Sequence, residues 1–297
     1  MMTCPLAWRD TLPVAELNNS IEFIPADLAG GDVRALALDA RDFELTRIVS
    51  GDAPLFEMGY ERLWKEFGPL NEMESREVIL RRLGWFPAFN SGRCWLRYEM
   101  LLLCKQEQFV AARDHTAIIA TSGGIPHAVV HMSHVLVEPA WRRTGVAGWL
   151  RAWPIQTARA CLQAAGFSVT SPITLVAEME HPNRGYPERL IRLQAYEKAG
   201  FKKVDPTQVN YLQPDFRSPE AIDASGGPRP LPFGLVVRRV GREQEQSIDG
   251  GEVRQLVEAL YEMYGMNFRA SDMGVMRGSL GGYPEVKAEI PLVPPTA

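Results

Sequence analysis

Residues 135–153 read VLVEPAWRRTGVAGWLRAW. An apolar strand, Val135-Leu136-Val137, stops at Glu138-Pro139, because a proline removes a ladder donor and restricts the residue before it. A short basic run follows, Arg142-Arg143-Thr144, and then Gly145, Ala147 and Gly148 open a helix. Small residues there let a bulky group approach the backbone closely. The first-turn N–H groups have no partner inside the helix, and the helix dipole favours negative charge, so this helix start suits an anion such as a phosphate. The two arginines add to that field. The segment is not a Walker A loop, since no Gly-Lys-Ser/Thr ends it. It is not a GxGxxG turn either, and no acidic residue is placed for a nucleotide ribose. Plain packing accounts for many glycine-containing helix starts, so the stretch has to be read with its surroundings.

Upstream, Ala128–Val137 reads as one buried strand. His131 and His134 stand three apart in it, which puts them on opposite faces. A shared metal is therefore not expected. No cysteine lies near these or near His115, His127 and His181 at finger spacing, so no structural zinc is expected. Downstream, a helix runs from about Gly145 to Ala165 with Gly166 as its stop, and Pro154 inside it marks a kink or a division. Ile173–Ala177 is the next strand, ending at the polar group Glu178, Glu180, His181 and Asn183. Glu188–Lys198 is a helix closed by Gly200.

Nearer the N-terminus, Glu44–Val49 alternates as a strand, and helices follow over Ala53–Phe67 and Met73–Leu83. Cys94–Cys104 is strand material. So are Phe109–Arg113 and Thr116–Ala120, joined by a turn at Asp114-His115 or running as a single strand. Towards the C-terminus come a strand, Phe233–Val237, and a helix, Gly251–Tyr264. That helix has Val253, Leu256, Val257, Leu260, Tyr261 and Tyr264 on one side. The last residues, rich in Gly and Pro, read as a loose tail. Strand–helix–strand units around a sheet imply an α/β or α+β domain.

Two motifs now combine. Arg142-Arg143-Thr144-Gly145-Val146-Ala147 resembles the (Q/R)xxGx(G/A) motif of the Gcn5-related N-acetyltransferase (GNAT) superfamily, and the strand ending at Pro139 resembles that family's fourth strand. Ala195-Tyr196-Glu197-Lys198-Ala199-Gly200-Phe201 resembles its second hallmark, a YEKxGF-like helix end. They occur in the family's order with a strand between them, and the resemblance covers roughly residues 44–212. It implies a mixed, mostly antiparallel sheet splayed between the fourth and fifth strands, with helices on both faces and acetyl-CoA in the opening. It further implies that Arg142, Arg143, Thr144, Gly145, Val146, Ala147 and Gly148 hold the pyrophosphate, and that the pantetheine arm pairs with the backbone of Leu136 and Val137. An amine would attack the thioester directly, with no covalent enzyme intermediate. Tyr196 would protonate the departing thiolate. In the slot seven residues before it, where family members often carry asparagine, this chain has Arg189.

A base is still needed for the amine. Glu138 lies at one strand end, and Glu178 and Glu180 end the next strand on one side of it by alternation. Glu178 ranks first, with His181 or bulk water behind. Each of these, taken alone, reads first as a surface or structural charge, and Tyr196 is equally readable as a packing residue. Trp85, Phe86, Phe89, Trp95 and Tyr98 suit either an acceptor pocket or core.

Composition narrows the class. The chain has 297 residues, 46% hydrophobic, with a formal charge of -4 and no long run of one sign. That argues against a nucleic-acid surface. Cys4, Cys94, Cys104 and Cys161 form no CxxC pair and read as reduced thiols of a cytoplasmic protein. No leader and no membrane span is expected. The expected organisation is an N-terminal arm over 1–43, an acyl-CoA-binding catalytic domain over 44–216, and an extension over 217–297 packed on it. The extensions would shape the acceptor site or support a homodimer. The acceptor would be a small-molecule amine or a protein amine. The competing class is a non-catalytic acyl-CoA-binding or sensor module, distinguished by whether thioester consumption needs a second substrate.

Overall fold

The structure, a computed structural model, describes residues 24–121, 125–182 and 187–297. The reading of Ser122-Gly123-Gly124 as a loop and of Asn183 as part of a polar cluster lies outside the described residues.

The N-terminal half of the sheet is built from β1 (Glu44–Ile48), β2 (Phe89–Asn90), β3 (Cys94–Lys105), β4 (Gln108–Ala120), β5 (His127–His131) and β6 (Val135–Val137). β7 (Ile173–Met179), β8 (Lys202–Val204), β9 (Tyr211–Gln213), β10 (Leu231–Arg239), β11 (Ser247–Asp249) and β12 (Glu289–Val293) complete it. Its spatial order is β1-β3-β4-β5-β7-β10-β8-β12-β11, with β2 on β3, β6 on β4 and β9 on β10. Among the described residues only the β5–β7 pair is parallel. The sheet is therefore mixed and mostly antiparallel. β4 is a single strand through Asp114-His115, the second of the two readings left open above. Its hairpin with β3 turns at Gln106 and Glu107, both left-handed at φ 48° and 64°, the backbone of a tight two-residue turn.

Helices cover both faces. On one lie α1 (Phe56–Phe67) and α2 (Arg76–Leu83), and later α6 (Gly250–Gly265) and α7 (Ala270–Ser279). Phe56, Leu63, Ile79, Leu102, Val129 and Leu260 meet there in one buried cluster. The opposite face carries α3 (Val146–Ala164) and α4 (Pro187–Lys198), with Val130, Ile155, Ala158, Leu175, Leu193 and Tyr196 packed together. Each such fully buried aliphatic side chain contributes about 1.5–3 kcal/mol. A short α5 (Pro219–Ala224) lies in the connection before β10. Pro154 is accommodated within α3, which is not divided.

Two expectations are corrected. The C-terminal residues are not a loose tail. They form α7 and β12, and β12 hydrogen-bonds to both β8 and β11. The stretch Ala128–Val137 is not one strand either. β5 stops at His131 and β6 begins at Val135, because Asp114 captures the intervening backbone: its carboxylate accepts the His134 N–H at 2.8 Å, and its own N–H donates to the His134 carbonyl at 3.2 Å. No helix among the described residues is long and apolar enough to cross a membrane.

The segment 24–43 forms three 3-10 turns against the body: Pro25–Asp27, Gly30–Ala37 and Ala40–Asp42. β10, from the C-terminal extension, lies inside the sheet between β7 and β8.

Candidate functional site

The sheet forks. β5 and β7 pair in parallel as far as His131 and Val176, and the Met132 N–H donates to the Val176 carbonyl at 2.8 Å. Beyond that point β6 pairs only with β4, and the end of β7 pairs only with β10. Residues 134, 136 and 138 direct their backbone groups to β4. By alternation those of Val135 and Val137 face the fork. Leu136, one of the two residues expected to offer its backbone, is turned to β4. The Val137 carbonyl accepts from Arg142 Nε at 3.1 Å.

At the crotch of the fork, on the α1/α6 side, sits Glu178. Its side chain is 3% exposed. Oε2 accepts from His131 Nε2 at 3.0 Å, from the Tyr264 hydroxyl at 2.6 Å and from Gln213 Nε2 at 3.1 Å. Oε1 accepts from the Tyr211 hydroxyl. Burial pushes this carboxyl up, but His131 and the two tyrosine donors outweigh it and hold the group at about 2. Ser133 Oγ lies 3.0 Å from His131 Nδ1. His134 Nδ1 is 2.9 Å from Asp114, to which the Tyr98 hydroxyl also donates at 2.9 Å. Burial lowers the His134 pKa, but the Asp114 contact prevails and raises it to about 9. Glu72 is raised by burial and then by Glu180.

These groups surround a polar cleft of about 50 Å³ lined by Phe67, Glu72, His131, Ser133, Glu178 and Arg192, among others. Arg192 belongs to α4 on the other face, so the open fork joins the two sides of the sheet. His131 and His134 both line this cleft. The expectation that they face opposite ways is overturned, because the kink at 132–134 resets the alternation between them.

On the α3/α4 side, Tyr196 is buried against Phe201, ring centroids 4.8 Å apart, with the Arg151 guanidinium over its ring at 6.0 Å. Arg113 of β4 is fully buried beside it. Its guanidinium has no hydrogen-bond partner within ordinary distance among the described residues. Burial lowers the Arg113 pKa, and Tyr196 acts in the opposite direction.

The glycine-rich start of α3 is present, with Gly145 as its N-cap at φ 118° and Arg143 left-handed at φ 67°. Thr144 Oγ1 donates to the Trp141 carbonyl at 2.7 Å. Val146 and Gly148 are buried, and Ala147 is half-buried. What approaches these glycines closely is the chain's own arm. A Cβ on Gly145 would lie 2.6 Å from the Arg34 carbonyl oxygen, and one on Gly148 would lie 3.0 Å from Cβ of both Ala35 and Asp32. Arg34 Nη1 donates to the Arg143 carbonyl at 3.2 Å, and Arg151 Nε donates to Asp32 at 3.0 Å. Asp27 holds Arg159 through two 2.7 Å bonds.

The remaining expected residues lie elsewhere. Glu138, at the end of β6, pairs with Arg62 at 3.2 Å. Glu180 pairs with Arg189. His181 borders a small hollow with Glu180 and Lys203, away from the fork. Trp85 and Tyr98 are core, Phe86 and Phe89 are about 40% exposed, and none of the five aromatics considered lines the cleft. Of the groups that meet Glu178, the sequence reading considers His131 only as a metal ligand and does not single out Tyr211 or Gln213, nor Ser133, which meets His131. The available signal was register: a parallel partner two residues short of Glu178 places His131 beside it.

No family model and no curated protein matches this sequence. Solved structures do align with it. An acetyltransferase from Streptococcus agalactiae is 11% identical over 67% of this chain and 99% of its own, at a TM-score of 0.35. An acyl-CoA N-acyltransferase from Pseudomonas aeruginosa is 18% identical over 66% and 99%, at 0.33. An aminoglycoside acetyltransferase from an uncultured soil metagenomic sample is 14% identical over 52% and 86%, at 0.32. The topology itself, with its strand order, one parallel pair among the described residues and the fork beside the α3 start, is the mixed, mostly antiparallel, splayed sheet expected from the motifs.

Proposed function

We propose that this chain is an acyltransferase that moves an acyl group, acetyl in the simplest case, from a coenzyme A thioester to an amine. The observation that carries the reading is the fork between β6 and β7, with a buried, hydrogen-bonded polar cluster at its crotch. The thioester would lie in the fork, where Val135 and Val137 present backbone groups. The amine would enter through the cleft that Glu72 and Phe67 line. His131 then replaces Glu178 as the proton acceptor. A carboxylate held near 2 by four donors is a weak base, whereas it is well suited to stabilise an imidazolium beside it. Tyr196, beneath the fork on the other face, remains the candidate acid for the thiolate.

Residues Arg142 to Gly148 would hold the cofactor's phosphates, on a surface that the 30–37 segment covers. The two cannot occupy it together, so cofactor binding there displaces the segment. That coverage also favours a second reading, distinct from the acyl-CoA-binding or sensor module weighed from the sequence: a non-catalytic module in which the arm has taken the cofactor's place.

The test is amine-dependent release of CoA from acetyl-CoA across an amine panel, with product masses. A product 42 Da heavier establishes acetyl transfer. His131→Gln should lower kcat at least about 100-fold with CoA affinity retained, and Tyr196→Phe about 10- to 1000-fold. Wild-type rates in His131→Gln sink its role as base. Absence of CoA binding by calorimetry, in the wild type and in a variant with a loosened arm, supports the module instead.

A further inference from the structure

We propose that Ser133 is a nucleophile activated by His131 and held in register by Glu178, giving the cleft a second activity: hydrolysis of activated acyl esters and thioesters through an acyl-serine. The inference does not depend on the cofactor cradle at α3.

It starts from hydrogen-bond direction. The Glu178 carboxylate is ionised and can only accept. Tyr264 and Tyr211 each spend their single hydroxyl proton on it. In the neutral form of His131, the form that can act as a base, Nε2, 3.0 Å from this carboxylate and 3.3 Å from the Tyr264 hydroxyl, carries the ring proton. That leaves Nδ1 as a lone pair, and the Ser133 hydroxyl at 3.0 Å has one possible direction: it donates to Nδ1. A hydroxyl donating to an imidazole whose far nitrogen is fixed by a buried carboxylate is the arrangement that activates a serine. The ring is further confined by Tyr264, whose centroid lies 5.6 Å away edge-on.

Position supports the same role. Ser133 sits in the kink between β5 and β6, half-buried, and lines the cleft. The guanidinium of Arg192 borders that cleft too and supplies positive charge for an oxyanion.

The steps balance. Ser133 Oγ attacks the acyl carbon and forms the C–O bond while its proton passes to His131 Nδ1. The C–S bond breaks, and the thiolate leaves with that proton. Water then attacks the acyl-serine and gives a proton to His131. The serine C–O bond breaks, the proton returns to Oγ, and a carboxylic acid departs.

The test uses the full-length protein and a fluorophosphonate probe, read by peptide mass spectrometry. Ser133 should be labelled stoichiometrically, with labelling at least about 100-fold slower in His131→Gln and absent in Ser133→Ala. Circular dichroism confirms folding, and Ser133→Cys gives a second handle: its thiol should react with iodoacetamide faster than Cys94, Cys104 and Cys161. For Glu178, nitrogen-15 NMR of His131 should show the Nε2–H tautomer in the wild type and a shift towards Nδ1–H in Glu178→Gln. No label on Ser133, or an equal labelling rate in His131→Gln, overturns the proposal. It would do so without touching direct transfer, whose readout is amine-dependent CoA release.

Discussion

Asp114 and His134 form a pair whose protonation belongs to the fold. Asp114 is pushed up by burial but held well below the usual carboxylate range by His134, and His134 is raised to about 9 in return. An unfolded histidine titrates near about 6.5. The raised value means that the stabilisation is fully present below pH ~6.5 and is lost as pH climbs through 9. Urea unfolding of the wild type should therefore lose stability between pH 6.5 and pH 9.5, at the range those pKa values set. His134→Gln should be less stable at pH 6.5 and should lack that slope. An identical slope in the variant would assign it to other groups. The same pair explains why part of the site was hidden in the sequence. Glu178 was legible as a polar residue ending a strand. His131 and Ser133 were not, because AVVHMSHVLV carries no breaker, and its kink is imposed by a carboxylate on the neighbouring strand, fourteen or more residues upstream.

Helix α3 and the 30–37 segment pack as one unit. RRTGVAG is readable as a helix start, and it is one. What fills the space beside its glycines was not readable, since the contact joins positions more than 100 residues apart and leaves no periodic trace. The structure also shows that Gly145 is a poor site for a probe. A side chain there would be strained at φ 118° and would meet arm backbone, so folding and binding would change together. Asp32 is the better lever. Its bond to Arg151, with side chains 7% and 11% exposed, is charge-assisted and nearly dry. Such bonds contribute about 1.5–3 kcal/mol. If the arm and the cofactor compete, apparent affinity scales with the fraction of molecules whose cradle is open. Asp32→Ala should then tighten CoA binding about tenfold or more by calorimetry and speed proteolysis within 30–37. Faster proteolysis with unchanged affinity would show that the cofactor does not use this surface.

For the whole molecule, the informative element is β10. The motif-bearing stretch ends near residue 212, yet the sheet does not. β10 fills the slot between β7 and β8, and β12 extends the far edge. Strand patterning identified Phe233–Val237 correctly but gave no sign of where it would insert, since pairing partners are set by the assembled sheet. A chain ending at Phe216 should therefore lack a cooperative thermal transition, because β7 and β8 would each present an unpaired edge. Supplying residues 217–297 as a separate polypeptide should restore it; a cooperative transition in the short chain alone would show that β10 is dispensable. The insertion has a further meaning for a chain made from its N-terminus. Some sixty residues separate the end of β7 from the end of β10, which at ordinary synthesis rates is an interval of about 3–12 s. Throughout it the half-built sheet carries a bare edge on β7, on the side away from the fork, so a chaperone that shields strand edges would have its longest engagement with this protein at that stage of translation.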